Sequence, residues 1–460
     1  MIYFGILCYF CAMKTLQAFI LVAVVLCASC SKHAGGPVPS PAQLEWQQME
    51  YNMFVHFGPN TFSGLEWGQG TETEDLFNPT GLDCRQWAAT AKAAGMKGII
   101  ITAKHHDGFC LWPSKTTTHT VAQSSWRDGK GDVLAELSEA CREYGLKFGV
   151  YVSPWDRNHP AYGTPEYNNV YAQAIEEVHS NYGPVFEHWF DGACGEGPNG
   201  KKQVYDWDTF RATVRRLSPE AVMFSDIGPG CRWVGNERGQ ACETNWSTLD
   251  TEGFTPGAGA PPKDTLQQGN VYGAHWVPAE TDVSIRPGWF WRESENDKVK
   301  SVEALMKIWV ESVGRNSLLL LNVPADTSGR ICKVDSLRLM EFRDAREAVF
   351  GTDLAAGAKI RKRQRGKVWE ITLPECRGFD YVQLQEDIRF GQRISSFRVD
   401  IQDFDVAIDN GGWLPIAEGT TIGYKRIIPT RHCTTKRLRV VITGSHDRPI
   451  LESISLFSQE

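Results

Sequence analysis

The segment CRQWAATAKAAGMKGIIITAKHHDGF, residues 84–109, contains the clearest indication of the fold class. Its apolar residues are spaced for a helix over 84–94, and Gly95 is a typical helix stop. Residues 98–104 then form a short, nearly continuous apolar run, which is typical of a strand buried on both faces. Polar residues follow directly. The segment therefore predicts a helix–strand unit of a parallel α/β sheet.

The same alternation of apolar runs and amphipathic stretches extends along most of the chain. The other predicted strands are 53–58, 147–153, 185–191, 221–226 and 317–323. The other predicted helices are 132–144, 167–182, 207–217, 301–313 and 334–350. Because so many units favour a closed barrel over an open sheet, we predict a (β/α)8-like, TIM-type barrel over residues 44–352. Residues 228–291 are rich in Gly, Pro and Trp, and they leave the sixth and seventh strands unplaced.

Beyond residue 352 the pattern changes to short strands separated by turns, without convincing helices. These predicted strands are 367–373, 381–385, 394–402, 413–416 and 437–443. Such a run of strands is typical of two packed antiparallel sheets. We therefore predict a C-terminal antiparallel β-sandwich over residues 353–460.

The composition is that of a folded protein, with 42% hydrophobic and 22% charged residues among 460. The 48 Lys and Arg are outnumbered by 55 Asp and Glu, which argues against nucleic acid as a partner because counterion release needs a concentrated basic face. The 16 tryptophans are mostly explained by packing, although flat aromatic faces also bind sugars.

The amino terminus resembles an export signal. Met13 and Lys14 precede an apolar run over 15–26 that is too short to span a bilayer, and translation from Met13 would give a conventional signal. The following Leu-Cys-Ala-Ser-Cys resembles a bacterial lipobox ending at Cys30. We expect residues 1–30 to be a signal segment of the lipoprotein type, with Cys30 as the lipidated first residue of the mature protein, and residues 31–43 to form a linker. The protein would then be exported to the periplasm or anchored in the outer membrane as a lipoprotein; secretion without an anchor is the alternative.

Nine of the 13 cysteines lie beyond this leader, and an odd number cannot all pair. None of the nine shows the CxxC spacing of a zinc or redox site, so we expect buried free thiols. Neither a metal nor a cofactor is expected.

Polar side chains stand at the ends of the first four predicted strands, where parallel barrels carry their active sites. They are His56, His105, His106, Tyr151 and Asp191. Asp191 is the leading candidate for chemistry because it follows an apolar strand and opens a small-residue loop; an Asp that caps this turn is the alternative. A zinc site built from the histidines is disfavoured, since no HExxH or comparable spacing follows.

Glycoside cleavage would need a second carboxyl group, one to attack the anomeric carbon and one to protonate the departing oxygen. The candidates are Glu237, in a Gly-rich loop beside Trp233, and Glu243. Partial burial of Glu237 would raise its pKa as an acid requires, whereas a surface Glu paired with Arg238 is the alternative. The residues alone barely separate the two candidates.

At these positions the sequence closely resembles the glycoside hydrolase family 29 α-L-fucosidases. The matching segments, in order, are Phe54-Val55-His56-Phe57-Gly58, Glu66-Trp67-Gly68, Lys104-His105-His106-Asp107-Gly108-Phe109, Gly149-Val150-Tyr151 and Trp189-Phe190-Asp191-Gly192. The resemblance implies a retaining exo-α-L-fucosidase with Asp191 as nucleophile. The implied fucose-binding residues are His56, Glu66, Trp67, His105, His106, Tyr151 and an aromatic residue of Trp289-Phe290-Trp291, for which Trp289 is favoured.

Within that family, HFGPNTF followed by EWG, and the RWVGNE segment, resemble a subgroup that prefers α-1,3 and α-1,4 fucosyl branches on N-acetylglucosamine. This match assigns the acid/base role to Glu237. Where many relatives continue the WF pair with Tyr and His, this chain has Trp291-Arg292-Glu293, so the pocket wall is expected to differ.

The expected partner is a fucosylated oligosaccharide or glycoconjugate. A catalytically inactive, cell-surface fucose-binding protein is the main alternative, and a metal-dependent hydrolase that uses the histidines is a distant third. Turnover of a chromogenic fucoside distinguishes the fucosidase from the inactive binding protein, and activity that is insensitive to chelators excludes the metal-dependent hydrolase.

Overall fold

A computed structural model describes residues 36–257, 259–402 and 412–459 of the chain. The predicted leader, with Met13 and Cys30, lies outside these residues, as do residues 31–35 of the predicted linker. None of the helices in the described part is both long and apolar enough to cross a membrane.

Eight parallel strands close into a barrel in the order β1-β8-β7-β6-β5-β4-β3-β2. They are β1 Tyr51–Val55, β2 Gly98–Lys104, β3 Lys147–Val152, β4 Val185–Trp189, β5 Val222–Ser225, β6 Cys231–Trp233, β7 Ala279–Ser284 and β8 Ser317–Asn322. All residues of β1, β2, β7 and β8 are buried, as expected for strands covered on both faces.

The helices of this region lie before, between and after the strands. They are α1 Pro41–Met49, α2 Pro59–Ser63, α3 Cys84–Ala93, α4 Val133–Tyr144, α5 Glu166–Asn181, α6 Trp207–Leu217, α7 Lys263–Gln268, α8 Val302–Glu311 and α9 Lys333–Phe350. Local chemistry fixes their ends: the Asp132 carboxylate accepts the Ala135 N–H at the start of α4, and Gly145 ends that helix with a φ of +65°.

The C-terminal region is an antiparallel sheet of six strands. They are β9 Lys359–Arg363, β10 Val368–Glu386, β11 Ile394–Gln402, β12 Trp413–Gly419, β13 Arg426–Ser445 and β14 Leu451–Phe457. The long strands β10 and β13 contain bulges, and their two halves pair with different neighbours. Residues from both halves, such as Trp369 and Leu384, join a single apolar core, so the sheet folds over on itself.

The predicted fold class, a TIM-type barrel followed by an antiparallel β-region, is thus confirmed. Some details differ. The first strand is Tyr51–Val55 rather than 53–58, the fourth ends at Trp189, and the predicted strands 367–373 and 381–385 belong to one strand, β10.

The cysteine expectation is partly wrong. All nine cysteines in the described residues are free thiols, but they are not all buried. Cys376 is exposed because it lies where β10 loses its regular pairing between Thr372 and Arg377, and four further cysteines are half-buried.

Candidate active site

A cavity of about 160 Å³ opens at the carboxyl ends of the barrel strands. All nine residues predicted for the site line it: His56, Glu66, Trp67, His105, His106, Tyr151, Asp191, Glu237 and Trp289. Four further residues complete the lining: Phe54, Trp189, Ala193 and Asp282. The barrel thus brings together residues from positions 54 to 289 in one small concave site.

Both oxygens of the Asp191 carboxylate have donors. The Tyr151 hydroxyl donates to Oδ2 at 2.8 Å, and the Ala193 backbone N–H donates to Oδ1 at 2.7 Å. The carboxylate lies just beyond β4 and is 25% exposed, so a ligand can reach it. The Ala193 contact is the turn cap expected as the alternative role of Asp191, yet the carboxylate also faces the cavity.

Two histidines present neutral, unprotonated ring nitrogens to the cavity. The His56 Nδ1 donates to Asn322 Oδ1 at 2.8 Å; the orientation of the Asn322 amide is fixed because its Nδ2 donates to the Trp289 carbonyl. The His106 Nδ1 donates to the Ser153 hydroxyl at 2.8 Å, whose own hydrogen goes to a backbone carbonyl. In each ring, therefore, Nε2 is left as an acceptor.

Burial keeps these rings uncharged. Desolvation lowers the pKa of His56 to about 3 and that of His106 to about 4, and the pKa of His105 is also well below its usual value. The His106 Nε2 lies 3.7 Å from Asp191 Oδ2, which is too far for a direct hydrogen bond. Two acceptors therefore lie close together in the cavity wall, where a hydroxyl group of a ligand can donate to one of them.

Glu237 lies at the rim of the cavity, on the loop that follows β6. The Trp289 indole N–H donates to its Oε2 at 3.3 Å. Much of the side chain faces solvent, yet partial burial of the carboxyl group raises its pKa, and the nearby charges of Asp191 and Glu66 act in the same direction.

Glu243, the other candidate acid, does not line this cavity. Its carboxylate is 68% exposed and lies 3.8 Å from Arg315 and 3.9 Å from Arg426, where the barrel meets the C-terminal sheet. The structure therefore clearly distinguishes two carboxyl groups that the residues alone barely separated.

The loop that carries Glu66 is tied to the loop that follows β7. The Trp289 backbone N–H donates to Glu66 Oε1 at 2.5 Å, and Arg292 donates to Oε2 at 2.6 Å. Arg292 replaces the residue expected from relatives and fixes the pocket wall through this ion pair. Trp67, 59% exposed, stands at the mouth of the cavity against His106.

Trp289 is the aromatic residue of its segment that lines the cavity, whereas Phe290 is buried behind the histidines, 5.3 Å from the His56 ring and 5.1 Å from the His105 ring. Sequence reasoning missed Asp282. The signal was an alternation of polar residues, Glu280, Asp282 and Ser284, in a strand that lacks the expected apolar run.

A second cluster of ionisable groups lies inside the barrel. Ligand atoms of Glu187, Cys231 and Glu280 lie within 4.8 Å of one another, and this is the one group of its kind in the described residues. The Trp46 indole already donates to Glu187 at 2.7 Å, and the Trp189 indole donates to Glu280 at 2.7 Å. These contacts explain the cluster as a buried, hydrogen-bonded carboxyl pair.

The barrel holds two carboxyl groups and neutral hydrogen-bonding rings around a sugar-sized cavity. This arrangement is typical of a glycoside hydrolase. Comparison with known proteins agrees. The Alpha-L-fucosidase family model matches residues 36–344. Alpha-L-fucosidase 1 of Arabidopsis thaliana is 40% identical in an alignment of 452 positions that covers 92% of this chain and 87% of that protein.

Solved structures show the same similarity. A glycoside hydrolase 29 family member from an unknown rumen bacterium is 42% identical, has a TM-score of 0.86, and matches over 92% of this chain and 78% of its own. A GH29 fucosidase of Ruminococcus gnavus in complex with fucose is 31% identical and has a TM-score of 0.80. The match covers 94% of this chain and 97% of that one. The chain described here belongs to the α-L-fucosidase family of glycoside hydrolases.

Proposed function

We propose that this protein is a retaining exo-α-L-fucosidase in which Asp191 is the nucleophile and Glu237 the acid/base. The observation that carries the proposal is the Asp191 carboxylate, held by two donors at a cavity whose other polar groups are mostly acceptors. Such a cavity is best filled by a ligand rich in hydroxyl donors. Its volume suits one sugar unit, which supports release of a terminal residue.

In the first step Asp191 attacks the anomeric carbon while the bond to the leaving oxygen breaks and Glu237 gives that oxygen its proton. A covalent fucosyl-enzyme forms. Glu237, now a carboxylate, takes a proton from water, and the water oxygen displaces Asp191 with overall retention. We expect a carboxyl separation of ~5–5.5 Å in a ligand-bound crystal structure, and a separation held near ~9 Å would contradict this pairing.

The cavity walls support selection of a 6-deoxy sugar. Phe54, Trp189 and Trp289 supply apolar surface for a methyl group, and His56 and His106 supply acceptors for hydroxyls. A sugar that leaves these buried acceptors unpaired is penalised more than one that loses apolar contact.

The test uses three variants on aryl fucosides with good and poor leaving groups. Asp191→Asn should lose turnover but still bind fucose, and wild-type turnover by this variant would refute the nucleophile assignment. Glu237→Ala should slow poor leaving groups more than activated ones, with partial rescue of the second step by azide. Glu243→Ala is the matched control, because it removes an exposed carboxylate outside the cavity and should behave as wild type.

The natural substrates proposed are fucosylated oligosaccharides or glycoconjugates with α-1,3 or α-1,4 branches. The proposal is supported by the subgroup motifs around Glu66 and Glu237. Hydrolysis of a panel of defined fucosides tests it: the branched α-1,3 and α-1,4 compounds should be cleaved faster than α-1,2 compounds, and the reverse order would refute it.

We further propose export and lipid anchoring at Cys30, supported by the signal-like run and the lipobox pattern. Cys30→Ser should shift the expressed protein from the membrane fraction to the soluble fraction. An unchanged distribution would refute the anchor.

A further inference from the structure

Asp282 is a buried carboxyl group in the wall of the active-site cavity, and neither the family motifs nor the proposed mechanism gives it a role. It lies on β7, where residues 280, 282 and 284 alternate toward the barrel interior. Its exposed fraction is 2%, yet it lines the cavity together with Asp191 and Glu237.

The surroundings of Asp282 are unsuited to a negative charge. Its Oδ1 accepts the Trp233 indole N–H at 3.0 Å, and within the described residues no other side chain donates to it and no Lys, Arg or His pairs with it. Burial raises the pKa of Asp282 well above its usual range, and the negative charges of Glu237 and Asp191 act in the same direction.

The histidines of the cavity do not supply the missing positive charge, since burial holds His56, His105 and His106 in their neutral forms. The guanidinium of Arg292 is already bound to Glu66. A buried, unpaired carboxylate at Asp282 would therefore be strongly unfavourable, whereas the neutral acid is not.

We propose that Asp282 works as a neutral carboxylic acid and donates its proton in a hydrogen bond to a hydroxyl oxygen of the bound fucosyl group. This inference rests on the proposed function, because it requires fucose in this cavity. The carbonyl oxygen of the acid keeps the Trp233 contact, and its O–H supplies a donor in a cavity otherwise dominated by acceptors. Asp282 would thus donate a hydrogen bond to one sugar hydroxyl, while His56 and His106 would accept hydrogen bonds from others.

Asp282→Asn and Asp282→Leu distinguish the neutral acid from a carboxylate. Asn accepts from Trp233 through Oδ1 and donates through Nδ2, so it reproduces the neutral acid and not the anion. Leu has a similar size and neither donates nor accepts. Isothermal titration calorimetry with L-fucose should show Asp282→Asn within about threefold of wild type, and Asp282→Leu weaker by roughly 10- to 100-fold. Equal loss in both variants, with unchanged thermal midpoints, would overturn the proposal.

Monodeoxy analogues of L-fucose test direct contact. One analogue should bind wild type more weakly than L-fucose does, but should bind Asp282→Leu as tightly as L-fucose does. The difference disappears in the variant because the two changes remove the same hydrogen bond. If the losses add for every analogue, Asp282 does not contact the sugar. Trp233→Phe is the control for a purely supporting role: if it weakens binding as much as Asp282→Leu, Asp282 acts by holding Trp233.

The binding readout also separates this inference from the proposed function. If wild-type protein binds L-fucose but does not turn over any fucoside, the proposed function fails, and the L-fucose affinities of the two Asp282 variants still test the role of Asp282. If wild-type protein does not bind L-fucose, both fail. Should Asp282→Leu not fold, the affinity of Asp282→Asn for L-fucose remains decisive, because a required carboxylate would be lost in it.

Discussion

Glu280→Gln should make the stability of the protein less dependent on pH. Glu280 and Glu187 are fully buried, and burial together with their mutual repulsion raises the pKa of Glu280 well above its ordinary value. The folded chain therefore keeps a proton on Glu280 at a pH where the unfolded chain has lost it. In wild type, the stabilisation from this proton is complete below the unfolded pKa of about 4.5 and declines as the pH rises toward the folded pKa.

The magnitude follows from one proton. Each pH unit in this window lowers the free energy of unfolding by about 1.4 kcal/mol, or about 2.7 kcal/mol between roughly pH 5.5 and 7.5. Gln keeps the acceptor that Trp189 uses and offers an N–H to Glu187, but it cannot ionise. The stability difference between Glu280→Gln and wild type should therefore grow by about this amount over those two pH units.

The assay is urea unfolding at roughly pH 5.5, 6.5 and 7.5, with the free energy of unfolding extrapolated to water. Glu220→Gln is the matched control: Glu220 is exposed, so this variant should follow the wild-type pH dependence. Parallel curves for Glu280→Gln and wild type would show that Glu280 carries no extra proton in the folded chain and would refute the reasoning.

Two further predictions concern the active site. Tyr151→Phe removes one of the two donors to Asp191 and should lower kcat on an aryl fucoside by roughly 10- to 100-fold with intact folding; a wild-type kcat would show that the hydroxyl does not hold the nucleophile. Trp289→Phe removes the N–H that lowers the pKa of Glu237, so the alkaline limb of the kcat/KM profile should move to higher pH, and a move to lower pH would contradict the acid assignment.

Apolar patterns were sufficient to predict most of the barrel. The strand Gly98–Lys104 was predicted to the residue, because a parallel strand buried on both faces is nearly continuous in apolar residues. The sixth and seventh strands could not be placed from the sequence because neither has a continuous apolar run. Cys231–Trp233 is three residues long with Arg232 at its centre, and Ala279–Ser284 places Glu280 and Asp282 inside the barrel.

For the site, motifs at strand ends predicted which residues line the cavity, because the barrel topology brings those ends together. Residue chemistry alone barely separated Glu237 from Glu243, and only the family resemblance favoured Glu237, since the two differ mainly in where one long loop places them. Nor could the motifs predict the tautomers of His56 and His106, which depend on Asn322 and Ser153, partners distant in sequence.

The polar residues of β7 explain why this strand lacks an apolar pattern. Each inward side chain supports a different part of the site. Glu280 binds the Trp189 indole, and that ring lies stacked 5.4 Å from the ring of Tyr151, the donor to Asp191. Asp282, the next inward residue, faces the cavity itself.

The third inward residue of β7 acts on the opposite side of the cavity. The Ser284 hydroxyl accepts from Asn322, and Asn322 in turn fixes His56 in the tautomer that leaves Nε2 as an acceptor. An apolar strand at this place would leave the Trp189 indole N–H and one Asn322 amide N–H without these acceptors, and would remove the Asp282 carboxyl group from the cavity. β7 therefore places polar side chains inside the barrel where they hold groups around the cavity in fixed orientations, which is the arrangement that electrostatic catalysis requires.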